Sequence, residues 1–385
     1  MKSSWQAATL GEVCEMYQPK TITAKEMSSS GDYPVYGANG IIGKYFAYNH
    51  ENPELIIGCR GTCGALHISQ PKSWITGNAM VIRPNRGAPL IIEFLKYFLL
   101  NPKITSSVIT GTAQPQITRK ALSPIKIPLP PIAEQQRIVS ILDEACAAID
   151  QAKANSERNL KNAKELFESY LQGVFENKGA SWENKQLKNE VDLFSGFPFK
   201  SKQYSEKVDD VLLVKGDNIM QGYFRWDDEK RWNIEEFDKY NRFSLNENDI
   251  VLAMDRPWVK AGLKCAKISK NELPALLVQR TASLRCGENI DSGFLYYLIK
   301  SSGFTNYLLG VQTGIGVPHI SGQQILDFSF NCPSIQEQQT IVIQLDYLNA
   351  ETQKLEAVYQ KKLFDLDELK KSILQKAFTG ELTTV

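Results

Sequence analysis

Few stretches of this chain have residue types and spacings that could carry chemistry, and each lacks a part its reaction needs. The segment GANGIIGKY resembles a phosphate-binding loop. However, its required first glycine falls on Ala38, and the hydroxyl residue that should follow Lys44 is Tyr45, so the backbone cradle and the metal-ligating hydroxyl are both missing. Glycines 58, 61 and 64 are spaced as turn residues between two strands, not as a dinucleotide fingerprint opening a helix. The three histidines, His50, His67 and His319, lie far apart and form no H-x-x-x-H pair, which argues against a hydrolytic metal site. Glu368-Leu369-Lys370 has a nuclease-like spacing, but Leu369 falls on an expected helix seam, which makes its neighbours a solvated edge. Amino-methylation would need an Asn-Pro-Pro-Tyr or Asp-Pro-Pro-Tyr stretch, and the chain has none. The expectation is a protein that reads a ligand and does not transform one, with no metal, no cofactor and no catalytic residues of its own.

Side chains suited to reading are present in both halves. Lys44, Arg60, Lys72, Asn78 and Arg83 lie in or beside turns of the first half. Lys200, Lys215, Arg225, Arg231, Arg256, Lys260 and Lys264 do so in the second, interleaved in the chain with Tyr36, Tyr45, Tyr223, Trp226 and Trp258. Arginine can take guanine O6 and N7 bidentately, asparagine and glutamine suit adenine, and lysine and arginine neutralise phosphates. These residues are therefore the DNA-binding candidates. Arg60 and Arg256 make the best pair, because each is expected to end a strand at an equivalent place. Gln114 and Gln116 sit in a repeated Gly-x3-Pro turn, where a structural role is an equal alternative.

The elements that position these residues are set by a repeat. IAEQQRIVSILD, from Ile132 to Asp143, returns as IQEQQTIVIQLD, from Ile335 to Asp346, 203 positions later. Each copy follows prolines (Pro130 and Pro131; Pro333) and contains none, which predicts two long helices. An apolar seam at alternating spacings of four and three runs Ile138, Leu142, Ala145, Ile149, Ala152, Ser156, Asn159, Ala163, Leu166, Tyr170 in the first. In the second it runs Ile341, Leu345, Leu348, Thr352, Leu355, Tyr359, Lys362, Leu366, Leu369, Ile373. The first stripe is alanine-rich and the second leucine-rich, so each helix is expected to be the other's antiparallel partner. The solvated helix positions Glu134, Arg137, Glu337 and Gln338 are candidates for docking a partner protein.

Around the helices the chain divides into residues 1–130, a β-rich mixed lobe; 131–178, the central helix; 179–331, a second such lobe; and 332–385, the distal helix. The lobes are also related: Trp5 and Leu10 match Trp182 and Leu187, and LIIGCR ending at Arg60 matches VLAMDR ending at Arg256. Arg83 matches Arg285, and Gly111-x3-Pro115-x-Ile117 matches Gly314-x3-Pro318-x-Ile320. The expected fold is α+β, a pseudo-two-fold tandem duplication in which two β-rich mixed lobes are separated by two long antiparallel helices forming a coiled coil. Two similar lobes related by a two-fold axis suit the pseudo-symmetry of duplex DNA.

Composition narrows the class further. The formal charge is +1, but residues 1–130 hold thirteen basic against seven acidic residues, whereas the second lobe and both helices are slightly acidic. A basic first lobe fits a polyanionic partner, although the excess is below that of a non-specific nucleic-acid binder. The most apolar run, LIIEFLKYFLL, is broken by Glu93 and Lys96, and the N-terminus lacks a signal-peptide pattern, so a soluble, cytoplasmic protein without a membrane partner is expected. Seven scattered cysteines without a C-x-x-C pair are expected to be reduced thiols.

With these residues in place, the chain resembles the DNA-specificity subunits of type I restriction-modification systems. The resemblance rests on PPIAEQQRI and PSIQEQQTI, YPVYGANGIIGKY followed by IIGCRGTCG, FSGFPFKSKQY followed by NDIVLAMDR, and the repeated Gly-x3-Pro-x-Ile turn, and it covers essentially the whole chain. It implies a non-catalytic subunit with two target-recognition domains reading a bipartite, asymmetric site in double-stranded DNA, one half-site per lobe. It also implies docking to two methyltransferase subunits, and restriction and translocase subunits in the full complex. The competing reading is a coiled-coil adaptor that binds protein and not DNA.

Overall fold

The computed structural model describes residues 5–111, 114–177, 179–259, 262–314 and 316–383. They form two units, Met1–Asn159 with Val358–Val385, and Leu160–Ala357.

In the first unit, four antiparallel strands lie in the order Cys14–Tyr17, Ala79–Pro84, Leu55–Gly58, Leu66–Ile68. Leu55–Gly58 and the start of Ala79–Pro84 are fully buried, as expected for inner strands of β-branched and aliphatic residues. A second sheet places Tyr33–Gly37 between Gly40–Tyr45, antiparallel, and Trp74–Ile75, parallel. Gln6–Thr9 pairs with Lys126–Leu129, closing the lobe just before its long helix.

The second unit repeats this wiring strand for strand. Its four-stranded sheet runs Val191–Ser195, Thr281–Cys286, Ile250–Ala253, Cys265–Lys267, and Val211–Val214 lies between Lys230–Trp232 and Ala275–Leu277 in the other sheet. Glu183–Gln186 closes the lobe with Ser329–Cys332. The duplication read from sequence is therefore a duplication of topology.

The long helices are Ile132–Glu176 and Ile335–Thr379, the second stopped by Gly380 at φ +85°. In the first unit they run antiparallel: Lys370 Nζ donates to Asp150 Oδ1 at 2.8 Å, and Lys153 pairs with Asp367. In the second, Lys164 faces Glu356 at 3.7 Å and the Tyr170 hydroxyl donates to Gln344 at 3.1 Å, again antiparallel.

The seam departs from the expected frame in two places. Leu166 and Tyr170 are exposed, and the buried stripe instead passes through Phe167 and Leu171. In the second helix, Leu355 and Leu369 are exposed, and half-buried Glu356, Leu363 and Lys370 take the places given to Leu355, Lys362 and Leu369. A straight helix has 3.6 residues per turn and drifts about 20° per heptad from a 3.5 repeat, so a strict frame cannot follow it over its whole length. Leu369 therefore does not explain the charges beside it. Lys370 is held by Asp150, and Glu368 by Lys371 at 2.7 Å.

Each helix also belongs to the core of a lobe. Ile138, Val139 and Leu142 join the first core, where Phe378 packs edge-on against Phe94 and Phe98 at 5.1 and 5.4 Å. In the second unit Ile341 and Val342 pack on the lobe core, and Leu345 clusters with Phe167, Leu171 and Tyr297.

Three polar contacts, made in both units, account for the near-identity of the repeated helix openings. Trp5 Nε1 donates to Glu134 at 3.0 Å and Trp182 Nε1 to Glu337 at 2.8 Å. Gln135 accepts from Ile91 N–H and donates to Pro89 and Pro130 carbonyls, and Gln338 does the same with Asp291 N–H and the Asn289 and Pro333 carbonyls. Tyr97 donates to Asp143 at 2.5 Å and Tyr297 to Asp346 at 2.6 Å. Burial first, and then these hydrogen bonds, push both phenol pKa values well above the ordinary value. The Glu, Gln and Asp of the repeat thus fasten each helix to its own lobe.

Candidate nucleic-acid interface

The best-defined polar constellation of each lobe stands where an inner strand ends against the repeated glycine turn. In the first lobe Cys59 N–H donates to Asn78 O at 2.9 Å and Ile117 N–H to Cys59 O at 3.1 Å, while Arg60 bridges Gln116. In the second, Met254 N–H donates to Arg280 O and Ile320 N–H to Met254 O, both at 2.9 Å, while Asp255 bridges His319. The turns need glycine: Gly111 and Gly314 have φ of +87° and +95°, and an added Cβ would meet the Gln114 and Val317 carbonyl oxygens at 2.7 and 2.2 Å.

This lattice corrects the expected equivalence of Arg60 and Arg256. Leu55 pairs with Ile82 and Ile250 with Leu284, so the strand register matches Arg60 to Asp255 and Gly61 to Arg256. Gly61 has φ +76° and Arg256 has φ +47°, the same left-handed position occupied first by glycine and then by arginine. A non-glycine residue there costs roughly 1–2 kcal/mol. Arg256→Gly is therefore expected to raise the stability of the second unit, by up to about 1 kcal/mol once the greater freedom of unfolded glycine is counted, read as an increase in Tm.

The other candidates fall into three groups. Lys44, Lys72, Asn78 and Lys200 are exposed on strand or turn positions, Lys72 with φ +53°. Lys215, Arg225 and Lys264 gather at one turn: Lys264 Nζ donates to Gly216 O at 3.3 Å, Arg225 reaches Asp217 O at 3.5 Å, and Lys215 and Arg225 line one shallow depression with Asp227 and Asp228. Arg83 and Arg231 are engaged within the lobes. Arg83 Nε lies 3.0 Å from both oxygens of Glu54, and Arg231 donates to Asp210 O at 2.6 Å and Glu229 at 3.0 Å. Lys260 lies outside the described residues.

Of the aromatics, Tyr36 is buried and accepts from Gln70 N–H, Trp226 donates to Glu272 and Trp258 to Gln312, while Tyr223 is exposed. Asp255 and Arg280 carry no motif that marks them in the sequence, and His319 stands out there only as a possible metal ligand. Its position as the variable residue inside the repeated Gly-x3-Pro-x-Ile turn was the available signal. Among the described residues no group of three His, Cys, Asp or Glu could hold a metal ion, and no helix is long and apolar enough to cross a membrane.

The docking candidates require one correction. Gln338 was expected on a solvated face but is fully buried in the clamp described above, and Glu134 and Glu337 are half-buried acceptors for tryptophan. Arg137 is exposed. Large apolar side chains that do face solvent on the long helices of the second unit include Leu166, Tyr170, Ile343, Tyr347 and Leu355.

A duplicated lobe of two small sheets, each fastened to its own long helix and carrying polar strand ends, defines a two-lobed recognition scaffold. The chain belongs to the type I restriction modification DNA specificity domain family, which matches residues 2–160 and 180–363. It is 26% identical to the type I restriction enzyme MjaVIII specificity subunit of Methanocaldococcus jannaschii, over 98% of this chain and 93% of the relative. Two solved structures share the fold. One is a chain of a type I R-M system, at TM-score 0.76 and 19% identity with 99% of both chains covered. The other is the HsdS subunit from Thermoanaerobacter tengcongensis, at TM-score 0.57 and 18% identity, covering 99% and 98%.

Proposed function

We propose that this chain is the non-catalytic, sequence-reading subunit of a type I restriction-modification complex. Each lobe reads one half of a bipartite, asymmetric site in duplex DNA, and the helices dock two methyltransferase subunits, to which restriction and translocase subunits add in the full complex. The observation that carries the reading is that two lobes of one backbone design present different side chains at the same strand ends. A scaffold serving only as a protein adaptor has no need of two matched but chemically distinct faces.

The exposed Ile343, Tyr347, Leu166 and Tyr170 are the proposed docking face in the second unit, since large apolar groups left in water mark interaction surfaces. Methylation of a random duplex library by the chain assembled with its methyltransferase partners should yield two short conserved blocks flanking an unread gap. Ile343→Asp with Tyr347→Asp should fold but fail to co-purify with the methyltransferase. Unselective methylation would support the adaptor reading, and assembly by the double variant would move the docking face elsewhere.

A further inference from the structure

The equivalence of the strand ends carries more than a general DNA-binding surface. Three positions of the first lobe, Arg60, Asn78 and Gln116, correspond to Asp255, Arg280 and His319 of the second on the same backbone hydrogen-bond lattice. All three first-lobe residues are exposed. In the second lobe the three form one unit: Arg280 forms an ion pair with Asp255, Nε lying 3.2 Å from Oδ2, and His319 Nδ1 donates to Asp255 Oδ1. A carboxylate only accepts, so Nδ1 carries the proton, and in the neutral ring Nε2 is left as an acceptor. Nε is the Arg280 atom nearest to Asp255, and the guanidinium donors remain open to a ligand on a side chain 72% exposed. Its backbone is left-handed at φ +67°.

We propose that these three positions in each lobe are specificity determinants for base edges, and that the two half-sites differ because the side chains at them have been exchanged. This rests on the functional reading above. In the first lobe the guanidinium stands at the end of strand Leu55–Gly58. In the second it stands at the start of the neighbouring strand Thr281–Cys286, and its former place is taken by a carboxylate. Neighbouring strands are about 4.8 Å apart, more than the base-pair rise of about 3.4 Å, so a shift of the guanidinium by one strand is large enough to bring it to a different base pair. Asp255 is a positioning residue: it holds Arg280 and His319 in a fixed donor-and-acceptor pair, where the first lobe offers the amides of Asn78 and Gln116, each both donor and acceptor.

The test is the methylated motif made by the assembled complex. Asp255→Arg, Arg280→Asn and His319→Gln together give the second lobe the first lobe's set, and asparagine tolerates the left-handed backbone at position 280. The second half-site should change or relax at one or more positions, with the first half-site and the gap unaltered. Asp255→Asn, which keeps the shape and removes the charge, should reduce discrimination at those positions by about tenfold or more, and it decides the question if the triple variant fails to assemble. An unchanged motif, or an even loss on every sequence from a complex that still assembles, would overturn the assignment. A wild-type complex without sequence selectivity would instead refute the underlying reading.

Discussion

Arg83→Ala is expected to destabilise the first unit by about 2–3 kcal/mol, and Arg285→Ala the second by a similar amount, without changing which DNA sequence is selected. The two arginines occupy the same place in the duplicated sheet and hold a carboxylate at the start of the neighbouring strand. Arg83 grips Glu54 through Nε, and Arg285 binds Asp249 through Nε at 3.0 Å and Nη2 at 2.7 Å. The carboxylates are the buried partners, at 5% and 2% side-chain exposure, whereas solvent reaches the guanidinium groups. Their hydrogen bonds to these carboxylates, ahead of any other cause, raise both arginine pKa values. Removing one member of a buried pair costs about 3–5 kcal/mol because the other charge is stranded, and water at the arginine side reduces that figure. For units of this size the loss would lower Tm by roughly 4–12 °C. Unchanged thermal unfolding with altered base preference would show that Arg83 reads DNA and that its grip on Glu54 is dispensable.

Gln135→Leu and Gln338→Leu should each cost about 3 kcal/mol and act on one unit at a time. Both glutamines are fully buried, and each satisfies one N–H and two carbonyls where a loop meets the first turns of a long helix. Leucine nearly keeps the volume but leaves those backbone groups without partners, at roughly 1–3 kcal/mol for each that water cannot reach. Hydrogen exchange should report faster opening around Ile91 in the first variant and around Asp291 in the second, with the other unit at its wild-type rate. Wild-type unfolding of both variants, accompanied by loss of methyltransferase binding, would restore Gln338 as a docking residue and add Gln135 to that set.

The two predictions mark the same boundary in what sequence can supply. The twin helix openings were legible because their signal is local: prolines before a proline-free amphipathic run, repeated at a constant offset. Close repetition also pointed outward, to a docking face, since nothing in one dimension places Trp5 beside Glu134 or Asp291 beside Gln338. The helices repeat closely because they make the same inward contacts twice.

By itself, then, the sequence determined that the chain is a duplicated lobe and helix, that both helices are long, and which family it resembles, because turn chemistry, helix periodicity and near-identical motifs are properties of neighbouring residues. Tertiary structure decided which polar residues are free. Arg83 and Glu54 are 29 positions apart and meet only through strand pairing, which takes Arg83 out of the set of loose cations. It also decided what matches what. Loops of unequal length hide a one-residue shift that strand register exposes, and that shift sets Arg60 opposite Asp255 and puts Arg256 where the first lobe has Gly61. Side chains alternate faces along a strand, so an error of one residue exchanges an inward position for an outward one, and only the hydrogen-bonded partner strand removes the ambiguity.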